Sequence, residues 1–235
     1  MRLTIVVPAY NEEKLLGKCL EAIQNQNEKA DEVIVVNNNS KDRTEEVAKK
    51  YGVTLINEPK QGLSFARNTG FNTATGDIMG RIDADTIIPK DWTTNLKKNF
   101  SDPDVVGVTG PVHFYDFYGG RYIKKILGWI HTRLFFKIGS LALGHDVLFG
   151  SNHAIRKSAW EKIKNSVCTN DKIYHEDVDL TAHISQIGKI VFDPQLISDI
   201  SSRRVKSFLT LFDYAVREFR VLKHARSLKA PQNTA

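Results

Sequence analysis

Two aspartates separated by one residue could hold a metal ion. The run Asp83-Ala84-Asp85 directly follows the apolar run Ile78 to Ile82 and precedes a turn at Pro89. Two carboxylates at a strand end can face one hard cation, and Mg²⁺ or Mn²⁺ prefers oxygen ligands while sharing its other positions with diphosphate oxygens. Such a metal would neutralise charge on a leaving nucleoside diphosphate. A solvated turn is the alternative, but the position after a buried strand favours a metal site.

Polar residues at two earlier loop tips could form a nucleoside pocket. Tyr10 and Asn38 follow the first two apolar runs of the chain. An aromatic face can stack on a base, and an amide can hydrogen-bond the edge of the base. The neighbouring Ser40 and Asp42 have an alternative role, because such residues also serve as N-caps and a helix is expected from about Thr44.

An arginine and a cluster of acidic residues are the remaining candidates for binding or catalysis. Arg67 lies in the first half of a predicted helix, where its guanidinium could form two parallel hydrogen bonds to a phosphate. The alternative is that Arg67 is an ordinary surface arginine. Glu176, Asp177 and Asp179 lie at the start of another predicted helix. Negative charge is stabilised at a helix N-terminus, so the residues alone do not require a catalytic role for them.

The elements that must position these residues alternate between strands and helices. In the first half, apolar runs predict strands at 3–7, 33–36, 53–56 and 78–82, and helical spacing predicts helices at 13–25, 44–51 and 63–74. In the second half, the patterns predict a strand at 105–109, a strand end running into a helix at 154–164 and a helix at 178–187. This alternation predicts an α/β, doubly wound, mostly parallel sheet with helices on both faces. Ligands bind outside the carboxyl ends of such strands, so the loops after Val7, Val36 and Ile82 should meet at one crevice.

The motifs taken together resemble those of a known enzyme family. The segments Val-Pro-Ala-Tyr-Asn-Glu-Glu, Asn-Asn-Asn-Ser-Lys-Asp, Gly-Leu-Ser-Phe-Ala-Arg-Asn-Thr-Gly and Asp-Ala-Asp occur in the order and spacing found in family-2 glycosyltransferases of the GT-A fold. The resemblance covers roughly residues 3 to 192. It implies a metal-dependent, inverting transfer of a sugar from a nucleotide-sugar donor to an acceptor hydroxyl.

The resemblance also assigns roles on the donor side. It implies that residues of the first loop line the nucleoside site, that Asn38 meets the base, that Arg67 lies near the diphosphate and that Asp83 and Asp85 bind Mg²⁺ or Mn²⁺. The first-loop residues are Pro8, Ala9, Tyr10 and Glu12, and Ala84 adjoins the donor between the two aspartates.

On the acceptor side, the family pattern points to the Glu-Asp pair at 176–177. It implies that Asp177 is the catalytic base, which accepts the proton of the attacking hydroxyl so that displacement is direct and configuration inverts. The segment 150–156 resembles the acceptor side of the family, where Asn152 contacts sugar or acceptor, with a turn residue as the alternative. Arg204 lies in Ser201-Ser202-Arg203-Arg204, where related enzymes often keep basic residues near the diphosphate.

Two departures from the family pattern affect specificity. Asn37 stands where an aspartate is frequent, which leaves the nucleotide open between a UDP-linked and a GDP-linked donor. The Gln-x-x-Arg-Trp element of processive members is absent from the sequence, which favours transfer of a single sugar.

Length and composition fit one domain. The chain has 235 residues, 41% hydrophobic and 26% charged, which is ordinary globular composition. We predict one domain over 1–235, with a nucleotide-binding half at 1–100, an acceptor half at 101–200 and a basic amphipathic tail at 201–235. Two cysteines, the lack of a signal-peptide pattern and the lack of a long apolar run predict a cytoplasmic location.

Two basic, amphipathic stretches suggest contact with a membrane surface. No acidic residue occurs between Gly119 and Gly144, where basic and apolar residues alternate at helical spacing, and Ser201 to Ala235 holds eight Lys/Arg against Asp213 and Glu218. Such C-terminal amphipathic helices would gain from anionic lipid at the inner face of the membrane. The alternative is that they cover the sheet or a dimer partner. Membrane contact would favour a lipid-linked acceptor, such as a polyprenyl phosphate or glycolipid, over a soluble glycan.

Other function classes fit less well. A sugar-phosphate nucleotidyltransferase would need a Gly-rich N-terminal loop, and a dinucleotide dehydrogenase or P-loop protein would need glycine motifs that the sequence lacks. An inactive nucleotide-sugar binding relative remains an alternative, although a pure binder would not need both Asp85 and Asp177. No feature points to nucleic acid as a partner.

Overall fold

The computed structural model describes residues 1–116, 144, 146–169 and 176–204. The amphipathic helices predicted between Gly119 and Gly144 and after Arg204 lie outside the described residues. In the described part of the chain, no helix is both long enough and apolar enough to cross a membrane.

The described residues form a seven-stranded sheet and a small two-stranded sheet. The strands are β1 (Leu3–Ala9), β2 (Glu32–Asn37), β3 (Thr54–Asn57), β4 (Ile78–Ile82), β5 (Val105–Thr109), β6 (Val112–Phe114), β7 (Asn152–Arg156), β8 (Lys189–Phe192) and β9 (Ser198–Ile200). The large sheet has the order β3-β2-β1-β4-β7-β5-β8, and β6 pairs with β9. Among these described strands, β7 alone runs antiparallel to its neighbours, β4 and β5. The predicted doubly wound, mostly parallel sheet is confirmed.

Helices pack on both faces of the large sheet, as predicted. They are α1 (Leu16–Gln24), α2 (Thr44–Lys50), α3 (Leu63–Thr73), α4 (Trp92–Asn99), α5 (Lys157–Ile163) and α6 (Glu176–Ile184), and a 3-10 turn spans Ser202–Arg204. Because side chains alternate along a strand, Leu3, Ile5 and Val7 of β1 join the core that contains α1, whereas Val6 joins the core that contains α3, α5 and α6. Burial on both faces explains why β1 and β2 are apolar runs instead of alternating ones.

One helix begins later than the sequence predicts. The helix expected from Glu13 begins at Leu16, because the preceding residues form a turn around the carbonyl of Glu12, which accepts the N–H groups of Leu15 and Leu16. The N–H of Glu13 instead donates to Asp42 in the next loop, at 3.0 Å. Polar contacts between loops therefore shorten the helix that the apolar spacing predicts.

The strand ends converge on one edge of the sheet. Ala9 at the end of β1 pairs with Asn37 at the end of β2, and β4 lies on the other side of β1. Since β7 runs antiparallel, its first residue, Asn152, pairs with Ile82, the last residue of β4. Backbone hydrogen bonds between Ile87 and Asp199 bring β9 beside the loop that follows β4. Residues from both halves of the chain therefore border one crevice.

Gly70 lets α3 approach the sheet, and its replacement gives a test of this packing. A Cβ there would collide with the side chain of Val6 and lie 3.1 Å from Cγ2 of Val36. In an open helix, Gly→Ala stabilises by about 0.5–1 kcal/mol, whereas overpacking a core costs about 1–3 kcal/mol. We expect Gly70→Ala to lower the free energy of unfolding measured by urea denaturation.

The matched control for this test is the double variant Val6→Ala/Gly70→Ala. Removing the methyl groups that the new Cβ would meet should make Gly70→Ala less costly in the Val6→Ala background than in the wild type. A Gly70→Ala protein that is more stable than the wild type would contradict the close approach of α3 and β1.

Candidate functional site

Side-chain hydrogen bonds join the loop after β1 to the loop after β2. The backbone N–H of Asn11 donates to Ser40 Oγ at 3.0 Å, and the N–H of Lys41 donates to Asn11 Oδ1 at 2.8 Å. Asp42 accepts the N–H of Glu13 and that of Thr44, each at 3.0 Å. Of the two predicted N-caps, only Asp42 accepts an N–H at the start of α2, and both Ser40 and Asp42 fix the loop that carries Tyr10.

Tyr10 is the exposed aromatic residue of this edge. Its side chain is 48% exposed, while Pro8 and Ala9 before it are buried in β1. An exposed ring on a fixed loop suits stacking on a base, as predicted for Tyr10. Pro8 and Ala9 support this loop from within the sheet.

Asn38 organises the loop before α3. Its Nδ2 donates to the carbonyls of Lys60 and Glu58, at 2.6 and 3.2 Å, and its Oδ1 accepts the N–H of Gly62 at 2.8 Å. The side chain is 4% exposed. These contacts favour a positioning role over the predicted contact with the edge of a base.

The neighbouring Asn37 donates a side-chain hydrogen bond that an aspartate at this position could not donate. Its Nδ2 donates to Asn57 Oδ1 at 3.0 Å, and its Oδ1 accepts the N–H of Ser40 at 3.2 Å. A carboxylate has no proton to donate to Asn57. The departure from the family pattern at Asn37 is therefore matched by a local partner.

Asp83 and Asp85 lie where β4 ends, as the sequence predicts. The backbone of the turn is held by the N–H of Thr86 and by the thiol of Cys19, which contact the carbonyl of Asp83 at 2.9 and 3.5 Å. Asp83 Oδ1 also accepts a hydrogen bond from Arg81 at 2.8 Å. Asp85 is 7% exposed, and Ala84 between the two is buried.

The donor set of this turn fits Mg²⁺ or Mn²⁺. Carboxylate oxygens are hard ligands, and Mg²⁺ is usually held by one or two carboxylates together with waters and substrate phosphates. Within the described ranges, no group of three or more His, Cys, Asp and Glu residues forms a dedicated metal cage. Asp83 and Asp85 therefore match a metal that arrives with phosphate ligands.

A buried set of charges lies behind the two aspartates. Arg81, Arg67 and Glu176 are 1%, 0% and 7% exposed. Both guanidinium groups bind the same carboxylate: Arg81 contacts Glu176 Oε1, and Arg67 contacts Glu176 Oε2 at 2.5 Å and the Glu176 carbonyl at 2.8 Å. Arg67 also donates to Asn68. These contacts favour a structural role for Arg67 over the predicted phosphate contact.

The opposite charges keep this set ionised despite its burial. Burial alone would raise the pKa of Glu176, but Arg81 and Arg67 outweigh it and lower that pKa to about 2. Burial would likewise lower the pKa of Arg81, but the charges of Glu176, Asp83 and Asp177 raise it above its ordinary value. The fully buried His153 responds in the other direction, since burial and then Arg81 lower its pKa to about 4.

Asp177 follows directly after Glu176 and is oriented by backbone groups. Its Oδ2 accepts the N–H of Gly150 at 3.1 Å, and its Oδ1 accepts the N–H of Val178 at 2.9 Å. A Cβ on Gly150 would lie 3.1 Å from Asp177 Oδ2 and 3.2 Å from a terminal nitrogen of Arg81. Glycine at this position therefore lets Asp177 and Arg81 approach each other, and the structure brings Asp83 and Asp177 together around Arg81.

Asn152 lies beneath the crevice. It is fully buried, accepts a hydrogen bond from Trp92 Nε1 at 2.9 Å, and donates to the carbonyls of Leu196 and Pro111 at 2.6 and 3.1 Å. These bonds link β7 to α4 and to the segment before β9. They favour a structural role over the predicted contact with sugar or acceptor.

The basic residues after β9 reach the crevice through Arg203. Arg204 is the last residue of the 3-10 turn, and its side chain lies outside the described part of the chain. Arg203 contacts Glu12 Oε2 at 3.0 Å and Asp85 Oδ2 at 3.0 Å. It therefore joins the first loop to the turn after β4.

Sequence reasoning assigned no role to Arg81 or Gly150. The available signal for Arg81 was a charged residue inside the apolar run of β4, because a charge is rarely buried unless it is paired. Nothing in the spacing of Gly150 distinguishes it from an ordinary turn glycine.

The buried carboxylate of Glu176 gives a prediction about stability. Glu176→Gln would leave two buried guanidinium groups without their carboxylate, and breaking a buried pair costs about 3–5 kcal/mol. We expect a loss of this size in the free energy of unfolding at pH 7. Glu161→Gln is the control, because Glu161 pairs with Lys164 at the surface, at 2.6 Å, and its loss should change stability little.

The same group predicts how stability depends on pH. The pKa of Glu176 falls from 4.5 in the unfolded chain to about 2 in the folded protein, so its contribution is complete above about pH 4.5 and is lost as pH falls towards 2. The slope of unfolding free energy against pH should be shallower in Glu176→Gln, by up to about 1.4 kcal/mol per pH unit in this window. Identical slopes for the two proteins would contradict the buried pairing.

Comparisons with known proteins identify relatives of this chain. The model of glycosyl transferase family 2 matches residues 4–164. Glycosyltransferase GlyA of Streptococcus pneumoniae is 33% identical over 132 residues, which are 54% of this chain and 19% of that protein. The dolichol-phosphate mannosyltransferase of Pyrococcus furiosus is 30% identical over 159 residues, 63% of this chain and 42% of that protein. The chain thus spans less than half the length of both curated relatives.

A solved structure shows the same fold. A mannosyltransferase from Pyrobaculum calidifontis, in complex with GDP-Man and Mn²⁺, superposes with a TM-score of 0.67 at 24% identity, covering 96% of this chain and 69% of that one. The sheet order, the position of the Asp-x-Asp turn after β4 and the family match over residues 4–164 lead to one assignment. This chain belongs to glycosyltransferase family 2 and has the GT-A fold.

Proposed function

We propose that the chain transfers one sugar from a nucleoside-diphosphate sugar to an acceptor hydroxyl, with inversion of configuration and with a divalent metal. The observation that carries the proposal is the grouping of Asp83 and Asp177 around one buried guanidinium, that of Arg81. This grouping supports a site in which Asp83 would serve the leaving group and Asp177 the incoming hydroxyl, both at one edge of the sheet.

The donor would lie across the first loop and the turn after β4. The exposed ring of Tyr10 supports stacking of the base, and the locked loops keep that ring in place. The Pyrobaculum mannosyltransferase holds GDP-Man with Mn²⁺, which supports a nucleotide-linked donor for this chain. UDP- and GDP-linked sugars both remain within the proposal.

Asp83 and Asp85 would hold the metal. When bound, Mg²⁺ or Mn²⁺ supplies positive charge to the diphosphate as it leaves. The protein's own part is to present two oxygen ligands on a turn that Thr86 and Cys19 fix from behind. A fixed turn reduces the reorganisation that binding requires.

Asp177 would accept the proton of the acceptor hydroxyl. A general base must be within hydrogen-bond reach of that proton and must keep one orientation. The N–H groups of Gly150 and Val178 provide the orientation, and Asp177 is only half-buried. With a base in place and no covalent intermediate required, the displacement is direct.

The acceptor side and the cellular setting are also part of the proposal. The name of the Pyrococcus relative, a dolichol-phosphate mannosyltransferase, and the net charge of +6 support a lipid-linked acceptor and peripheral contact with the inner face of a membrane. A soluble glycan is the other acceptor class. Within the proposed single domain, the donor residues lie in the half at 1–100 and the base in the half at 101–200, while both halves contribute strands to one sheet.

Replacement of the base tests the catalytic part. We expect Asp177→Asn to lower kcat by about 10²–10⁴-fold, because the amide cannot accept the proton, with donor affinity unchanged. Release of UDP or GDP from candidate donors measures the rate, with glycosides and glycolipids as acceptors, because each of these offers a hydroxyl whose proton the base must take. Asp91→Asn is the control, since Asp91 is exposed beside α4. Full activity in Asp177→Asn would eliminate this residue as the base.

Ligand-induced stabilisation tests the donor and metal part. A nucleotide at about 100 times its Kd adds roughly 2.7 kcal/mol, which is several degrees in Tm for a domain of this size. We expect UDP or GDP to stabilise the wild type only with Mn²⁺ and to lose this effect in Asp85→Asn, but not in Asp91→Asn. If neither nucleotide shifts the wild type, with or without metal, the proposed function is wrong.

These two experiments also separate the enzyme from its main alternative. An inactive relative that only binds nucleotide-sugars would show the metal-dependent shift in Tm and no nucleotide release above the level of Asp177→Asn. The oriented Asp177 supports the enzyme, since binding a donor does not require a base on the acceptor side.

A further inference from the structure

The guanidinium of Arg203 lies between two nearly buried carboxylates of the candidate donor site. It binds both oxygens of Glu12, with Nη1 to Oε2 at 3.0 Å, and its Nη2 also contacts Asp85 Oδ2 at 3.0 Å. The side chains of Glu12 and Asp85 are 9% and 8% exposed, whereas that of Arg203 is 38% exposed. Arg203 therefore brings a partly exposed positive charge to two carboxylates that water hardly reaches.

The backbone that carries Arg203 is fixed by several contacts. Asp116 accepts the hydroxyl of Ser201 at 2.6 Å and the N–H of Ser202 at 2.5 Å. Just upstream, β9 pairs with β6, and Asp199 exchanges backbone hydrogen bonds with Ile87 beside the Asp-x-Asp turn. The approach of Arg203 to Asp85 thus follows from the fold of this segment, while the side chain itself stands partly in solvent.

We propose that Arg203 is a positioning residue of the donor site that takes the place of the metal ion until the nucleotide arrives. This inference rests on the proposed function, in which Asp85 binds the metal. A nearly buried carboxylate needs a cationic partner, and Arg203 supplies it to Asp85 and Glu12 in the ligand-free protein. The guanidinium keeps Asp85 turned towards the crevice.

The same contact makes Arg203 compete with a metal ion. A divalent cation on Asp85 would be close to the guanidinium, and the two positive charges would repel each other. A diphosphate relieves this repulsion, because its oxygens can accept two hydrogen bonds from the guanidinium of Arg203, the bidentate contact that guanidinium groups prefer. Arg203 can then leave Asp85 for the phosphate while the metal takes its place.

The consequence is that metal and nucleotide binding depend on each other. Metal alone must displace Arg203 without compensation, so it binds weakly, and nucleotide strengthens metal binding by giving Arg203 a new partner. Such coupling is reciprocal: the factor by which nucleotide improves metal affinity equals the factor by which metal improves nucleotide affinity. Arg203 would contribute a defined part of that factor.

Calorimetric titration with Mn²⁺, first alone and then with saturating UDP or GDP, tests the inference on the full chain. In Arg203→Gln we expect Mn²⁺ alone to bind about tenfold more tightly than in the wild type, which is about 1.4 kcal/mol. The factor by which nucleotide improves Mn²⁺ affinity should fall accordingly. In Arg203→Lys, which keeps the charge, the affinity for Mn²⁺ alone should stay within about threefold of the wild type.

Arg43→Gln is the matched control. Arg43 is an exposed arginine that pairs with Glu13, the neighbour of Glu12, at 3.2 Å, and its side chain is 74% exposed. Removing it takes the same charge from a residue that contacts the first loop, without touching Asp85, so Mn²⁺ affinity should remain that of the wild type. If Arg43→Gln raised Mn²⁺ affinity as much as Arg203→Gln does, the change in net charge alone would explain the effect. That result would overturn the inference.

The remaining outcomes separate this inference from the proposed function. If Arg203→Gln binds Mn²⁺ alone no more tightly than the wild type, and nucleotide improves Mn²⁺ affinity to the same extent in both, Arg203 does not take the place of the metal. If neither nucleotide binds the wild type at all, the proposed function is wrong, whereas the comparison of Mn²⁺ alone still decides whether Arg203 excludes the metal.

Discussion

The site depends on one buried carboxylate held by two arginines. Glu176 begins α6, Arg81 belongs to β4 and Arg67 belongs to α3, so their ion pairs join three elements that lie far apart in sequence. Burying charges is costly, and a well-packed apolar set of similar volume is often as stable or more so. What the ion pairs add here is a fixed orientation, because Arg81 Nη1, Arg81 Nη2 and Arg67 Nη1 each have a defined carboxylate partner. Once Glu176 is fixed, the orientation of the next residue, Asp177, is largely fixed as well.

The reversed strand β7 explains how the second half of the chain reaches Asp177 and Arg81. In an all-parallel sheet, the chain before a strand would lie at the opposite edge from the chain after β4. Because β7 is antiparallel, Gly150 just before it and Asn152 at its start lie beside Ile82, where β4 ends. Gly150 then gives its N–H to Asp177, and Asn152 fills the space below with three hydrogen bonds. A single change of strand direction thus brings Asp177 close to the turn that carries Asp83.

The sequence predicts more of the fold than of the side-chain contacts in the site. Apolar runs and helical spacing are properties of the chain itself, so β4 and the start of α3 at Leu63 occur as predicted. Side-chain partners are properties of the folded structure. Arg67 and Asn38 have residue types that suit phosphate and base, yet both are buried and already bonded to the protein. Spacing alone could not show this, because the carboxylate that holds Arg67 lies 109 residues away.

Two arginines beside the same aspartates illustrate how burial divides roles. Arg81 is 1% exposed, so breaking its contacts with Asp83 and Glu176 would leave a buried guanidinium short of partners that water cannot replace. Arg203 makes contacts of similar length to Glu12 and Asp85, but its guanidinium stands partly in solvent, where water can hydrate it when it leaves, while the two nearly buried carboxylates would then need the metal as their partner. Distances do not separate the two cases. The free-energy cost of breaking the ion pairs does separate them. This cost makes Arg81 part of the framework, whereas Arg203 can move when an anionic ligand arrives.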